Sequence, residues 1–381
     1  MLFSAASATH TLPCSIPECA CEVVNHLDKK TLQPASYCIT SRLTGSWPPV
    51  IRYTTWLCRC SSGRGLRMNN IAIWYRYFGI PEQTLELETA PVGLLTPGFM
   101  RVRMQFSPMN ASDLTPITGA YGHRVVPPLV AGYEGVGEVI AAPESWSHLV
   151  GKRVLPLRGQ GTWQSFVDCR SEFAIPVSDW IPSDLAARAY INPVAALMML
   201  RLYVPEGKRV LLTAAGSDCG LLLGQWAIRL GARSVTGIHR STAHATRLAA
   251  CGITSVSQKD AGAIRRFASE SDLVFDATGG ELATAILQQL PESSTFVCYG
   301  LLSGIPFKQQ HPRPLVRWFH LRNYLDGLNS RQWHSLFSEI WPLLNTSMYS
   351  DSVRYPVTSW KEAICFYREP GRSAKPLLVM N

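Results

Sequence analysis

No uninterrupted apolar stretch in this chain approaches the roughly 18 residues needed to cross a bilayer, so a helical membrane span is excluded. Its basic residues form no run and do not alternate with aromatics, which makes nucleic acid a poor partner despite a formal charge of +9. Internal repeats and low-complexity tracts are missing too. Charged residues are scarce at 17%, against 46% apolar ones, the balance of a globular enzyme and not of a disordered tail. At 381 residues the chain is long enough for two domains with real cores. The moderate positive charge suits phosphorylated cofactors and substrates.

Zinc-site spacing is another absence. Cys19-Ala20-Cys21 and Cys58-Arg59-Cys60 are C-x-C pairs, without a C-x-x-C or a His partner at the right distance. Residues 1–67 hold six of the eleven cysteines, show no sustained period and are scattered with Pro and Ser. A misassigned start, a disordered extension and a transit peptide all fit such a segment. Glu18, Glu22 and Asp28, with no Arg before Arg42, argue against the transit peptide. The working protein is therefore expected to begin near Met68. The five later cysteines (Cys169, Cys219, Cys251, Cys298, Cys365) read as buried thiols in a reducing cytoplasm, with a mitochondrial location as the alternative.

What the chain does have is a βαβ pattern from Val210 to Arg240. The apolar strand Val210-Leu211-Leu212 runs into the turn Ala214-Ala215-Gly216-Ser217-Asp218-Cys219-Gly220, and an apolar helix follows from Leu221 to Leu230. Gly231-Ala232 closes the helix, and a second strand, Ser234 to Ile238, ends in His239-Arg240. Such a turn lets backbone N–H groups at a helix N-terminus hold a pyrophosphate. An acidic residue after the second strand would accept from a ribose 2′-OH; His239 and Arg240 suit a 2′-phosphate instead. The cofactor read here is NADPH. Ala215 and Ser217 replace the first two glycines of the usual pattern, and Asp218 would repel a pyrophosphate unless it caps the helix and points away. A crossover helix without a ligand is the competing reading.

Around this unit the pattern divides. Residues 68–191 read as β-rich, with short alternating runs separated by Pro and Gly. Residues 192–341 alternate helix and strand, including Leu273 to Ala277 and Thr295 through Tyr299-Gly300, as a buried parallel sheet requires. The tail, about 342–381, holds two further strands that the reading returns to the first domain. The fold class is α/β.

This organisation resembles the medium-chain dehydrogenase/reductase superfamily, whose members pair a GroES-like β-rich catalytic domain with a Rossmann doubly wound parallel sheet. The residues carrying the likeness are Ala131 to Val139, the turn from Ala214 to Gly220, and Asp276-Ala277-Thr278-Gly279-Gly280. Where zinc-dependent members place a His and a Cys, this chain has Tyr133 and Asn110, so no metal is expected. Among zinc-free members the chain is similar to the mitochondrial-type 2-enoyl thioester reductases, through Asn110 to Leu114, Ile117 to Gly122, Gly161-Thr162-Trp163 and Asn192-Pro193.

The resemblance implies NADPH-dependent reduction of the C=C bond of an acyl thioester carried by CoA or an acyl carrier protein. Tyr121 would give the proton, although a Tyr that merely packs in a turn is the default from sequence alone. Asn110 would orient Tyr121 or the nicotinamide carboxamide, or make local turn bonds. Trp163 would wall the substrate channel or join the core. Asn192 would reach the cofactor or cap its helix. Tyr324 and Leu325 would lie in the segment passing the nicotinamide and leading to a homodimer edge. Arg322 and Lys375 would contact phosphates or face solvent. Glu134, between glycines, reads as a structural hydrogen-bonding group. A quinone or alkenal reductase and a non-catalytic NADPH-binding protein remain the alternative functions.

Overall fold

The computed structural model describes residues 68–159 and 161–380, so the expectations for residues 1–67 lie outside the described residues. Six strands form an all-parallel sheet, in the order Thr254–Ser257, Ser234–His239, Arg209–Leu212, Leu273–Asp276, Thr295–Cys298 and Leu315–Trp318. Numbered along the chain this is 3-2-1-4-5-6, the doubly wound Rossmann order. Its central strands are apolar on both faces because helices cover both: Leu211, Leu212, Val274 and Phe275 are all fully buried.

The other large sheet is mostly antiparallel. Phe99–Pro108 pairs with Val136–Ala141 and with Phe166–Arg170. The tail strand Ala374–Val379 joins its far end antiparallel to Phe99–Pro108, and Asp351–Pro356 lies parallel beside that tail strand. A smaller sheet, Leu85–Pro91, Asn69–Tyr75 and Leu129–Val130, completes the β-rich half. Close approach of neighbouring atoms requires glycine at two positions beside it. A Cβ on Gly161 would stand 2.0 Å from the Val130 carbonyl oxygen, and one on Gly132, at φ +87°, would stand 2.2 Å from the Trp163 ring.

The helix Ile191–Leu202 joins the halves and packs against the helix Asp218–Arg229. Helix Ser330–Asn345 lies against it in turn, opened by a reciprocal cap between Asn329 and Gln332. Of the later cysteines, Cys169, Cys219 and Cys298 are buried thiols, whereas Cys251 is half-buried and Cys365 is exposed on the helix Trp360–Arg368, so burial does not extend to these two.

Candidate active site

Parallel strand order reverses between Arg209–Leu212 and Leu273–Asp276, and ligands of such sheets lie outside the carboxyl ends of the strands at that point. A cleft of about 330 Å³ opens there, between the parallel sheet and the β-rich half. Ser217, Asp218 and Cys219 form part of its wall. Ser217 is the N-cap of the helix Asp218–Arg229: its backbone is extended and its Oγ accepts from the Gly220 N–H at 3.1 Å. Asp218 therefore does not cap, against the expectation. Gly220 keeps the helix close on the turn, since a Cβ there would lie 2.8 Å from the Ala214 carbonyl oxygen. Ala215 is fully buried beneath the turn.

At the end of the second strand several basic side chains converge. His239 is buried at 4% exposure with its Nδ1 unpartnered among the described residues, whereas Arg240 is exposed. The His244 ring fills the space a Cβ on Gly216 would need, at 2.4 Å. Burial, then the charges of Arg247, His239, Arg372 and Arg240, push the His244 imidazole below its ordinary range. Arg372 reaches the cleft from the tail. Its Nε donates to the Tyr367 carbonyl at 2.8 Å and its Nη1 to the Ala374 carbonyl at 2.9 Å, which fixes the guanidinium.

The opposite wall rests on a buried polar network. Glu134 Oε2 accepts from the Ile191 N–H at 2.7 Å and the Tyr190 N–H at 3.1 Å, and its Oε1 accepts from Asn110 Nδ2 at 2.7 Å. A carboxylate from the β-rich half thus holds the start of the joining helix, a structural role as the sequence suggested. Asn110 Oδ1 accepts from Asn192 Nδ2 at 3.0 Å and from Lys375 Nζ at 2.5 Å. Asp113 accepts from the Asn110 N–H at 2.7 Å and the Tyr133 N–H at 3.0 Å. Burial first, and Glu134 next, push the Asp113 carboxyl up to about 7.

Tyr121 lies in the same cleft on the turn after Thr118. The edge of one ring meets the face of the other between Tyr121 and His320, with centroids 5.4 Å apart. Burial raises the Tyr121 phenol above its ordinary value, against the opposing charges of Arg124 and Arg322, so it stays protonated at neutral pH. Arg322 lies over the Tyr133 ring at 5.0 Å and shares the cleft wall, which Phe319, His320 and Leu321 extend. Tyr299 and Gly300 border it too. Desolvation pushes the Cys219 thiol up to about 12, so it offers no nucleophile.

Several expectations need correction. Trp163 is fully buried, and its Nε1 donates to the Pro108 carbonyl at 3.2 Å; it belongs to the core and not to the cleft. Tyr324 stacks on Phe319 at 5.2 Å and Leu325 is buried beneath it, so residues 319–322 take the place assigned to these two. Asn192 lines the cleft from the first turn of its helix, so only the capping alternative fails; its amide spans to Asn110. Lys375 lines the cleft, as its phosphate-contact reading required, and at 4% exposed is not solvent-facing; it stands 3.4 Å from Asp218. Asn110 spends its carbonyl on Lys375 and Asn192 and makes no hydrogen bond to Tyr121. Arg372 and Tyr367 were missed because no local motif marks them. Among the described residues no group of three or more His, Cys, Asp or Glu could hold a metal ion.

Comparison with known proteins fits this geometry. Residues 96–179 match the alcohol dehydrogenase GroES-like domain. The mitochondrial enoyl-[acyl-carrier-protein] reductase of Caenorhabditis elegans is 30% identical over 246 residues, covering 61% of this chain and 71% of that protein. The chain belongs to the medium-chain dehydrogenase/reductase superfamily, near its enoyl reductases. The human mitochondrial enoyl-[acyl-carrier-protein] reductase, 29% identical, covers 81% of the chain and is covered over 88% of its own length. A putative NADPH:quinone reductase from Bacillus thuringiensis superposes with a TM-score of 0.75 at 30% identity, covering 82% of this chain and 100% of that one.

Proposed function

We propose that the chain is an NADPH-dependent oxidoreductase that reduces the C=C bond of a 2-enoyl thioester carried by CoA or an acyl carrier protein. The observation that carries this reading is the shared cleft: the protonated Tyr121 phenol and the N-terminus of the Asp218–Arg229 helix line one cavity. The fit to a phosphorylated dinucleotide rests on the capped helix start at Ser217 and on the guanidinium groups of Arg240 and Arg372, which act on the His244 ring. Those residues would hold the diphosphate and the 2′-phosphate, and Tyr299 and Gly300 would border the nicotinamide. When bound, NADPH supplies the hydride for the β-carbon.

The chain's own part is to bind, orient and protonate. Tyr121 keeps its proton at neutral pH and gives it to the α-carbon as negative charge develops on the thioester. Arg124 and Arg322 flank it and steady that charge. The polar network through Glu134, Asn110 and Lys375 fixes the loop that carries this wall.

The resemblance to the Bacillus thuringiensis protein favours a second reading, a quinone or alkenal reductase with the same cofactor. Following NADPH and NADH oxidation with crotonyl-CoA, a quinone and an enal as acceptors separates them. Faster turnover with NADPH and crotonyl-CoA is expected; turnover of quinone alone would favour the second reading. We further propose a homodimer formed through the edge strand Leu315–Trp318, where Trp318 is 57% exposed. Light scattering should report twice the chain mass.

A further inference from the structure

Asp218 is the first residue of a 12-residue helix whose N-terminus borders the cleft. The Gly220 N–H is taken by the Ser217 side chain and the Leu221 N–H by the Ser217 carbonyl. The Asp218 and Cys219 N–H groups have no intrahelical acceptor and remain to meet an anion. The Asp218 carboxylate is itself an anion at this end of the helix. It is held in place: its Oδ1 accepts from Ser350 Oγ at 2.5 Å, its Oδ2 stands 3.4 Å from Lys375 Nζ, and its side chain is only 9% exposed. Burial opposes its charge, but Lys375, Arg188, the Ser350 hydroxyl and Arg372 together outweigh burial and hold the carboxyl down at about 2. It is ionised at every working pH.

Resting on the dinucleotide reading above, we propose that Asp218 is a built-in competitor for the diphosphate and sets a deliberately loose grip on the cofactor. A carboxylate at the first helical position stabilises the helix through its dipole, the same field that would otherwise favour a diphosphate. Lys375 offsets part of the repulsion but divides its ammonium between Asp218 and Asn110. Because the diphosphate is common to NADPH and NADH, Asp218 weakens both equally. Discrimination between them belongs to Arg240 and Arg372, whose charges meet at His244 beyond the second strand.

The test is the dissociation constant of each dinucleotide, from nucleotide fluorescence at fixed ionic strength, with inorganic pyrophosphate as a displacing probe. Asp218→Asn should tighten NADPH and NADH alike by about fivefold, the effect of one removed like charge at a helix N-terminus. Pyrophosphate should displace them at correspondingly lower concentration. The melting temperature should drop by a few degrees, because the helix loses a favourable charge. A purely structural Asp218 would lower stability and affinity together; unchanged or weaker binding in Asp218→Asn overturns the proposal. Ser350→Ala provides an independent arm that leaves the carboxylate in place. With one hydrogen bond fewer its charge is less compensated, so both dinucleotides should bind about twofold more weakly, and tighter binding there would also overturn it. If the wild-type chain binds neither dinucleotide, the functional reading fails instead, and that outcome is distinct from a wild type that binds and a variant that binds no better.

Discussion

On the parallel-sheet side the cleft wall begins at one contiguous stretch, a capped helix start and a turn whose glycine allows close packing. On the β-rich side it is held by side chains, with Glu134, Asn110, Asp113 and Lys375 tied into one buried network that reaches the joining helix. Such a turn is set by residues adjacent in the chain. Walls built from buried charged groups fail when one member is removed, because the partners are left without water or replacement.

That contrast predicts a graded series. Glu134→Ala leaves the Tyr190 and Ile191 N–H groups and the Asn110 amide without their acceptor. It should cost about 3–5 kcal/mol in chemical denaturation; a loss below about 1 kcal/mol would show the network to be ornamental. Arg372→Ala, on the cofactor side, should weaken NADPH by roughly tenfold, or about 1.4 kcal/mol, while leaving NADH nearly unchanged. Equal loss for both would move the 2′-phosphate site away from Arg372.

The smallest effect is one of pH. Asp113 is raised from 3.8 to about 7 in the folded chain, so its contribution to stability is full below about 4 and is lost as pH rises through about 7. The melting temperature should accordingly fall by a few degrees between pH 5 and pH 8. Asp113→Asn should flatten that slope, whatever it does to the baseline. Asp218 has the opposite sign: lowered to about 2, it contributes fully above about 4 and fades as pH drops toward 2.

The same contrast explains what the sequence revealed. The βαβ unit from Val210 to Arg240 was readable because strand, turn and helix are contiguous and their periods are local. Glu134 was readable as structural from the glycines beside it, although its partners Tyr190 and Ile191 lie 56 and 57 residues away. Arg372 and the Lys375–Asp218 contact were not readable, since they arise only when the tail strand Ala374–Val379 pairs with Phe99–Pro108 in the β-rich sheet. Trp163 and Tyr324 were assigned to the cleft from motif position alone; packing decided otherwise, burying one in the core and stacking the other on Phe319. The turn at Ser217 and Asp218 was found, but which of the two caps the helix depended on side-chain geometry.

The most direct test of the account is Tyr121→Phe, measured as kcat with crotonyl-CoA and NADPH alongside the NADPH dissociation constant. The account predicts a fall in kcat of about a hundredfold, with cofactor affinity unchanged because Tyr121 makes no part of the dinucleotide cradle. Full turnover in Tyr121→Phe would contradict it.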